Sequence, residues 1–158
     1  MIESHELKNR DRYLKKLIGF QDTEPVKVIT GIRRCGKSSL LKLMIRHLWE
    51  TGIGQEQIVE MNFESHDFRS MTSDEVYHYV KEKAIPGKRM YLFFDELQRI
   101  DAWEDAVNSF RVDLDCDIYI TGSNATCCPP SIPPISPDDA WRSKCCLSHS
   151  GSSWTSTT

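Results

Sequence analysis

Four side chains suited to phosphate chemistry stand at two places in this chain. Lys37 and Ser38 follow Gly31-x-x-x-x-Gly36, and Asp95 and Glu96 close the apolar run Met90-Tyr-Leu-Phe-Phe. Gly31 and Gly36 let the backbone turn with its N–H groups pointing inward, so that a following helix N-terminus completes a positive cradle for phosphate oxygens. Lys37 would reach β- and γ-phosphates, and the Ser38 hydroxyl is a hard oxygen ligand suited to Mg²⁺. Arg34, Cys35 and Ser39 fall in the same loop and join Gly31, Gly36, Lys37 and Ser38 as candidate cofactor-binding residues. Cys35, beside a helix N-terminus that lowers thiol pKa, could be reactive, but a loop filler is the plainer reading.

An acid emerging from a buried strand beside such a loop is placed to bind Mg²⁺ through water, the role expected of Asp95. Glu96, one residue on, points differently and can polarise the water that attacks a γ-phosphate. Alone, the two acids would read as the start of a polar loop; with the glycine loop upstream they complete its charge neutralisation. A further strand ends in Thr121-Gly122-Ser123-Asn124, where Asn124, with Ser123 as runner-up, could contact the γ-phosphate or the attacking water. Gly-Ser-Asn is also ordinary turn chemistry.

These residues need strands and helices in alternation. The β-branched run Val26, Val28, Ile29, Thr30 feeds the loop, and Leu40, Leu41, Met44, Ile45 and Leu48 then follow helical spacing up to Gly52. Strands are expected at Ile58 to Phe63, Met90 to Phe94 and Ile118 to Thr121. A helix capped by Ser73 shows Val76 and Val80 inward and ends before Pro86-Gly87. Asp101 and Glu104 form a candidate capping pair for a helix through Trp103, Val107 and Phe110. Leu7, Leu14, Leu17 and Ile18 lie among charges as on an amphipathic helix over 5–18. Met90 to Phe94 is apolar throughout, as in a strand covered on both faces of a parallel sheet. The fold class is α/β, a parallel sheet with its ligand site at the strands' C-terminal ends.

At 158 residues the chain holds one domain with a substantial core. A net charge of −3 and a pI near 5.9 give no overall basic footprint for nucleic acid. The positive charges from Lys8 to Lys16 alternate with acids and read as a solvated helix face. No apolar run approaches the roughly 20 residues needed to cross a membrane, and the N-terminus lacks the apolar core of a secretion signal. A cytoplasmic location is expected. The five histidines show no ligand spacing.

Gly-Ile-Arg-Arg-Cys-Gly-Lys-Ser-Ser-Leu-Leu, Phe-Phe-Asp-Glu-Leu-Gln and Ile-Thr-Gly-Ser-Asn, in this order, resemble the prokaryotic AAA-type ATPases that carry a C-terminal domain of unknown function. The resemblance covers about residues 5–125. It implies a P-loop NTPase core with sheet order 5-1-4-3-2 and ATP with Mg²⁺ as ligand. It further implies Lys37 and Ser38 in a Walker A motif, Asp95 and Glu96 in a Walker B motif, and Asn124 as sensor. On this reading Glu96, Lys37 and Asn124 are catalytic, Ser38 and Asp95 hold the metal, and intact members are candidate homo-oligomers. The alternatives are a P-loop small-molecule kinase, disfavoured by the adjacent acids, and an inert or nucleotide-binding-only product.

Beyond Asn124 the composition shifts: residues 125–158 hold five of the seven prolines and four of the six cysteines. A disordered tail is one reading. A metal or disulfide site is poorly served by Cys127-Cys128 and Cys145-Cys146, which lack zinc-ligand gaps and lie in a chain expected to be cytoplasmic. A third reading is translation in the wrong frame. With suitable codons for Trp141 to Thr157, starting one base earlier yields Glu-Val-Lys-Met-Leu-Pro-Leu-Ser-Phe-Arg-Glu-Phe-Leu-Asp-Phe, similar to the family's next strand and its continuation. Successive CTG leucine codons read one base late become TGC, which accounts for the cysteine pairs. The expected organisation is thus an ATP-binding core at 1–124 with four strands, the fifth lost, and a non-native tail at 125–158. Loss of the fifth strand would leave Val26 to Thr30 an unprotected edge and the chain aggregation-prone and slow to hydrolyse ATP.

Overall fold

The computed structural model describes the backbone of residues 2–23, 26–30, 36–122 and 142–146, with the side chains of 11–23, 26–29 and 36–122. In chain order the elements are α1 (Ile2–Gly19), β1 (Val26–Thr30), α2 (Lys37–Glu50), β2 (Ile58–Asn62), α3 (Ser73–Lys83), β3 (Met90–Asp95), α4 (Trp103–Asp113), β4 (Cys116–Gly122) and β5 (Arg142–Cys146). The sheet order is β2-β3-β4-β1-β5. Its first four strands are mutually parallel, with Phe93 opposite Tyr119 and Ile29 opposite Thr121. This is the parallel α/β core expected of a P-loop NTPase.

Alternation along each strand sorts the side chains between two apolar layers. Val26, Val28, Leu92, Phe94, Ile118 and Ile120 face α3 and α4, meeting Val76, Val80, Val107 and Phe110. Ile29, Tyr91, Phe93 and Tyr119 face α1 and α2, meeting Tyr13, Leu17, Leu40, Leu41, Met44 and Leu48. All six residues of β3 are buried, since helices cover both its faces. Phe94 sits 6.2 Å from the Phe63 ring and 5.8 Å from that of Phe110, and Phe93 stacks on Tyr119 at 4.7 Å.

Three local expectations are corrected. The cap of α3 is Thr72, not Ser73: its hydroxyl accepts the Glu75 N–H at 3.3 Å while the Glu75 carboxylate accepts the Thr72 N–H at 2.7 Å. Reciprocal satisfaction of two orphan donors decides between adjacent hydroxyl residues. Asp101 and Glu104 do not cap α4, because its cap position falls on Ala102 at φ 56°, whose side chain carries no acceptor.

The third correction concerns the sheet edge. β1 is not unprotected, because β5 pairs with it antiparallel, Val26 opposite Cys146 and Thr30 opposite Arg142. A parallel edge strand offers N–H and C=O groups that a strand of either direction can satisfy, and these five residues do so. The sheet therefore has five strands, and the last runs against the others. No helix among the described residues is long and apolar enough to cross a membrane.

Candidate functional site

β1 and β3 end on the same side of the sheet with β4 between them, so the start of α2 meets the end of β3. Gly36, at φ 86°, takes the left-handed conformation that lets the chain turn into α2, a conformation disfavoured for a residue with a Cβ. Lys37 is the first helical residue and only 4 % exposed. The first turn of α2 contains no acidic residue, so its N-terminal partial positive charge is not offset from within the helix.

Across from that turn, the Ser38 hydroxyl donates to Asp95 Oδ2 at 2.5 Å. The other carboxylate oxygen, Asp95 Oδ1, accepts from the Thr121 hydroxyl. Asp95 and Glu96 are both buried, at 6 % and 7 % exposure. Glu96 follows the strand at φ 60°, a left-handed backbone that turns its side chain away from the strand line. Its N–H donates to the Thr121 carbonyl at 3.1 Å and to Thr121 Oγ1 at 3.2 Å. Gln98 Nε2 donates to Glu96 Oε2 at 2.5 Å, while Gln98 Oε1 is buried without a hydrogen-bond partner among the described residues.

Lys37, Ser38, Asp95 and Glu96 are thus brought to one end of the sheet, and Ser39 follows, half-buried, in the same helical turn. Gly31, Arg34, Cys35, Ser123 and Asn124 lie outside the described residues. Thr121 and Gln98 were not singled out by sequence. A threonine near a strand end carries no spacing signal, and its partner Asp95 is 26 positions away. For Gln98, the only hint was its place two residues after Glu96.

A serine hydroxyl and a carboxylate converging at 2.5 Å form a donor set of hard oxygens, which fits Mg²⁺. Among the described residues no group of three or more His, Cys, Asp or Glu could hold a metal ion. A two-residue set of this kind leaves room for phosphate and water ligands, which Mg²⁺ prefers.

An uncharacterized protein of Haemophilus influenzae is 39 % identical over 119 residues, 74 % of this chain and 30 % of the relative. An uncharacterized protein of Methanocaldococcus jannaschii is 30 % identical over 118 residues, 74 % of this chain and 24 % of the relative. The chain thus spans less than a third of the length of either. The family model of the AAA domain matches residues 23–133, which include both acids, Lys37, Ser38 and Thr121. By that match the chain belongs to the AAA domain family, P-loop-type domains of ATPase-like, nucleotide-binding character.

Proposed function

We propose that this chain binds ATP with Mg²⁺ at the junction of α2 and β3 and hydrolyses it. The observation that carries the reading is the convergence of Ser38 on Asp95 at 2.5 Å, with Glu96 buried at the next position. Lys37, the first residue of α2, would neutralise phosphate charge together with the N–H groups of Gly31 to Gly36. Arg34, Cys35 and Ser39 are the remaining phosphate-binding residues of this proposal. Ser38 and Asp95 would hold Mg²⁺, which would supply positive charge to offset that of the phosphates. Glu96 orients and polarises the attacking water, and Asn124 contacts the γ-phosphate.

Purified chain should bind ATP more tightly with Mg²⁺ than with EDTA, and should release ADP and phosphate in equal amounts. Lys37→Ala should abolish the nucleotide-dependent change. Transfer of phosphate to an acceptor without water-driven ADP formation would instead make it a P-loop kinase. Binding without turnover would make it a nucleotide-dependent interaction module. A cytoplasmic location, and self-association in longer relatives, belong to the same proposal.

We also propose that residues 125–158 are translated one base out of frame, which leaves 1–124 as the ATP-binding core. In support, with suitable codons Arg142 to Cys146 would read Glu-Val-Lys-Met-Leu in the neighbouring frame. That run resembles the family's next strand, and Arg142–Cys146 lies beside β1. Sequencing the coding DNA across codons 115–158 tests this: a neighbouring frame continuing through Leu-Pro-Leu-Ser-Phe supports it, and no such frame overturns it.

A further inference from the structure

Thr121 is completely buried at the C-terminal end of β4, between the strand that feeds the phosphate loop and the strand that carries the acids. A threonine hydroxyl has one proton to give and lone pairs to receive. Here the proton goes to Asp95 Oδ1, and a lone pair takes the Glu96 N–H at 3.2 Å. The Thr121 carbonyl takes the same N–H at 3.1 Å. One residue of β4 therefore holds both acids at once.

We infer that Thr121 is the positioning residue for the Mg²⁺ and water-activating carboxylates, an inference that rests on the ATP reading above. Its effect on Asp95 is to divide the labour of the two oxygens. With Oδ1 tied to Thr121, the carboxylate cannot rotate freely about its terminal bond, and Oδ2 is the oxygen presented to Ser38 at 2.5 Å. Its effect on Glu96 is on the backbone. A glutamate at φ 60° occupies a conformation that persists only where the surroundings over-determine it. The paired acceptance of its N–H by Thr121 fixes the peptide from which that conformation starts. Valine has nearly the shape of threonine but can neither donate to Asp95 nor accept from Glu96, so the hydroxyl can be separated from the bulk.

The test compares the full chain with Thr121→Val and Thr121→Ser, measuring ATP affinity by calorimetry in Mg²⁺ and in EDTA, with thermal melts of each protein. Thr121→Val should weaken Mg²⁺-ATP binding about tenfold, as expected for losing a hydrogen bond to a charged group. Its binding of ATP in EDTA should stay within about twofold. Thr121→Ser should restore the Mg²⁺ advantage. If Thr121→Val does not fold, Thr121→Ala, which removes the same hydroxyl without a misplaced methyl, must show the same selective loss. Equal Mg²⁺ advantage in Thr121→Val and the unmodified chain would overturn the positioning role alone. So would equal losses in Mg²⁺ and EDTA, or a serine variant that fails to rescue, which mark a merely structural residue. An unmodified chain that binds ATP under neither condition would overturn the ATP reading and this role with it.

Discussion

Lys27 of β1 and Asp117 of β4 form an ion pair with both side chains at 0 % exposure. The pair is fully dressed. Lys27 Nζ also donates to the Thr23 carbonyl at 2.9 Å, and Asp117 Oδ2 accepts the Asp22 N–H at 2.9 Å and the Tyr119 hydroxyl at 2.8 Å. Asp22 in turn accepts the Tyr91 hydroxyl at 2.7 Å. Breaking a buried pair leaves one charge uncompensated, whereas replacing both partners with apolar groups of similar volume is often close to neutral. Asp117→Leu is therefore expected to lower stability by about 3–5 kcal/mol, and Lys27→Met with Asp117→Leu to recover most of that loss. Urea unfolding of the two variants checks it; a double variant as unstable as the single one would contradict the account.

The same corner sets an alkaline limit. Burial, then the Asp117 charge, pushes the Cys116 thiol up to about 12 from an ordinary value of 9.0. Burial raises the Tyr119 and Tyr91 phenols too, reinforced by Asp117 and Asp22 respectively. The folded chain then keeps protons that the unfolded chain releases, so stability falls as pH rises. It should be fully present below about pH 9 and decline as pH rises toward 12. Melting temperatures from pH 7 to 11 should show this, and Cys116→Ala should flatten the first part of the decline. A melting temperature that rises above pH 9 would reverse the sign.

Glu96→Gln should separate binding from turnover. Affinity for Mg²⁺-ATP should persist, while hydrolysis falls by about 10²–10⁴, the range for losing a general base. Gln98→Ala, which removes the amide donor to Glu96 at 2.5 Å, should lower hydrolysis by about tenfold with little change in affinity. Single-turnover measurements with saturating protein distinguish these outcomes from a binding defect.

The β1–β5 ladder predicts an effect on association. Successive residues of an antiparallel strand alternate between those that exchange hydrogen bonds with the partner and those that do not. Of Ser143→Pro and Lys144→Pro, opposite Ile29 and Val28, one must remove a ladder donor. That variant should scatter more light on warming than the other, because it bares the β1 edge. Indistinguishable behaviour would mean that β5 does not protect β1 in solution.

Much of this arrangement could be read from the chain. The change from alternation at Val26–Thr30 to helical spacing after Lys37 located the loop, and the unbroken apolar run before Asp95 located the buried strand that ends beside it. Order along the sheet then put β4 between them. What could not be read depends on partners distant in sequence. Lys27 looks like a misplaced charge in a strand until Asp117, 90 positions on, is brought opposite. Thr121 looks like any β-branched strand residue until Asp95 is beside it. The choice of Thr72 over Ser73 as cap rests on where the backbone turns, which spacing alone leaves open. Pairing at β1 was missed because Arg142–Cys146 has little of the composition that marks a strand.

Asp117 and Thr121 lie on one strand, four residues apart, about 13 Å at the rise of an extended chain. The first anchors the join between α1 and β1; the second holds the Asp95 carboxylate and the Glu96 N–H at the opposite rim. β4 is flanked on both sides by parallel neighbours and so behaves as a tie-rod through the middle of the molecule. The α1–β1 join and the acids are therefore both tied to a single five-residue stretch of backbone, at its two ends.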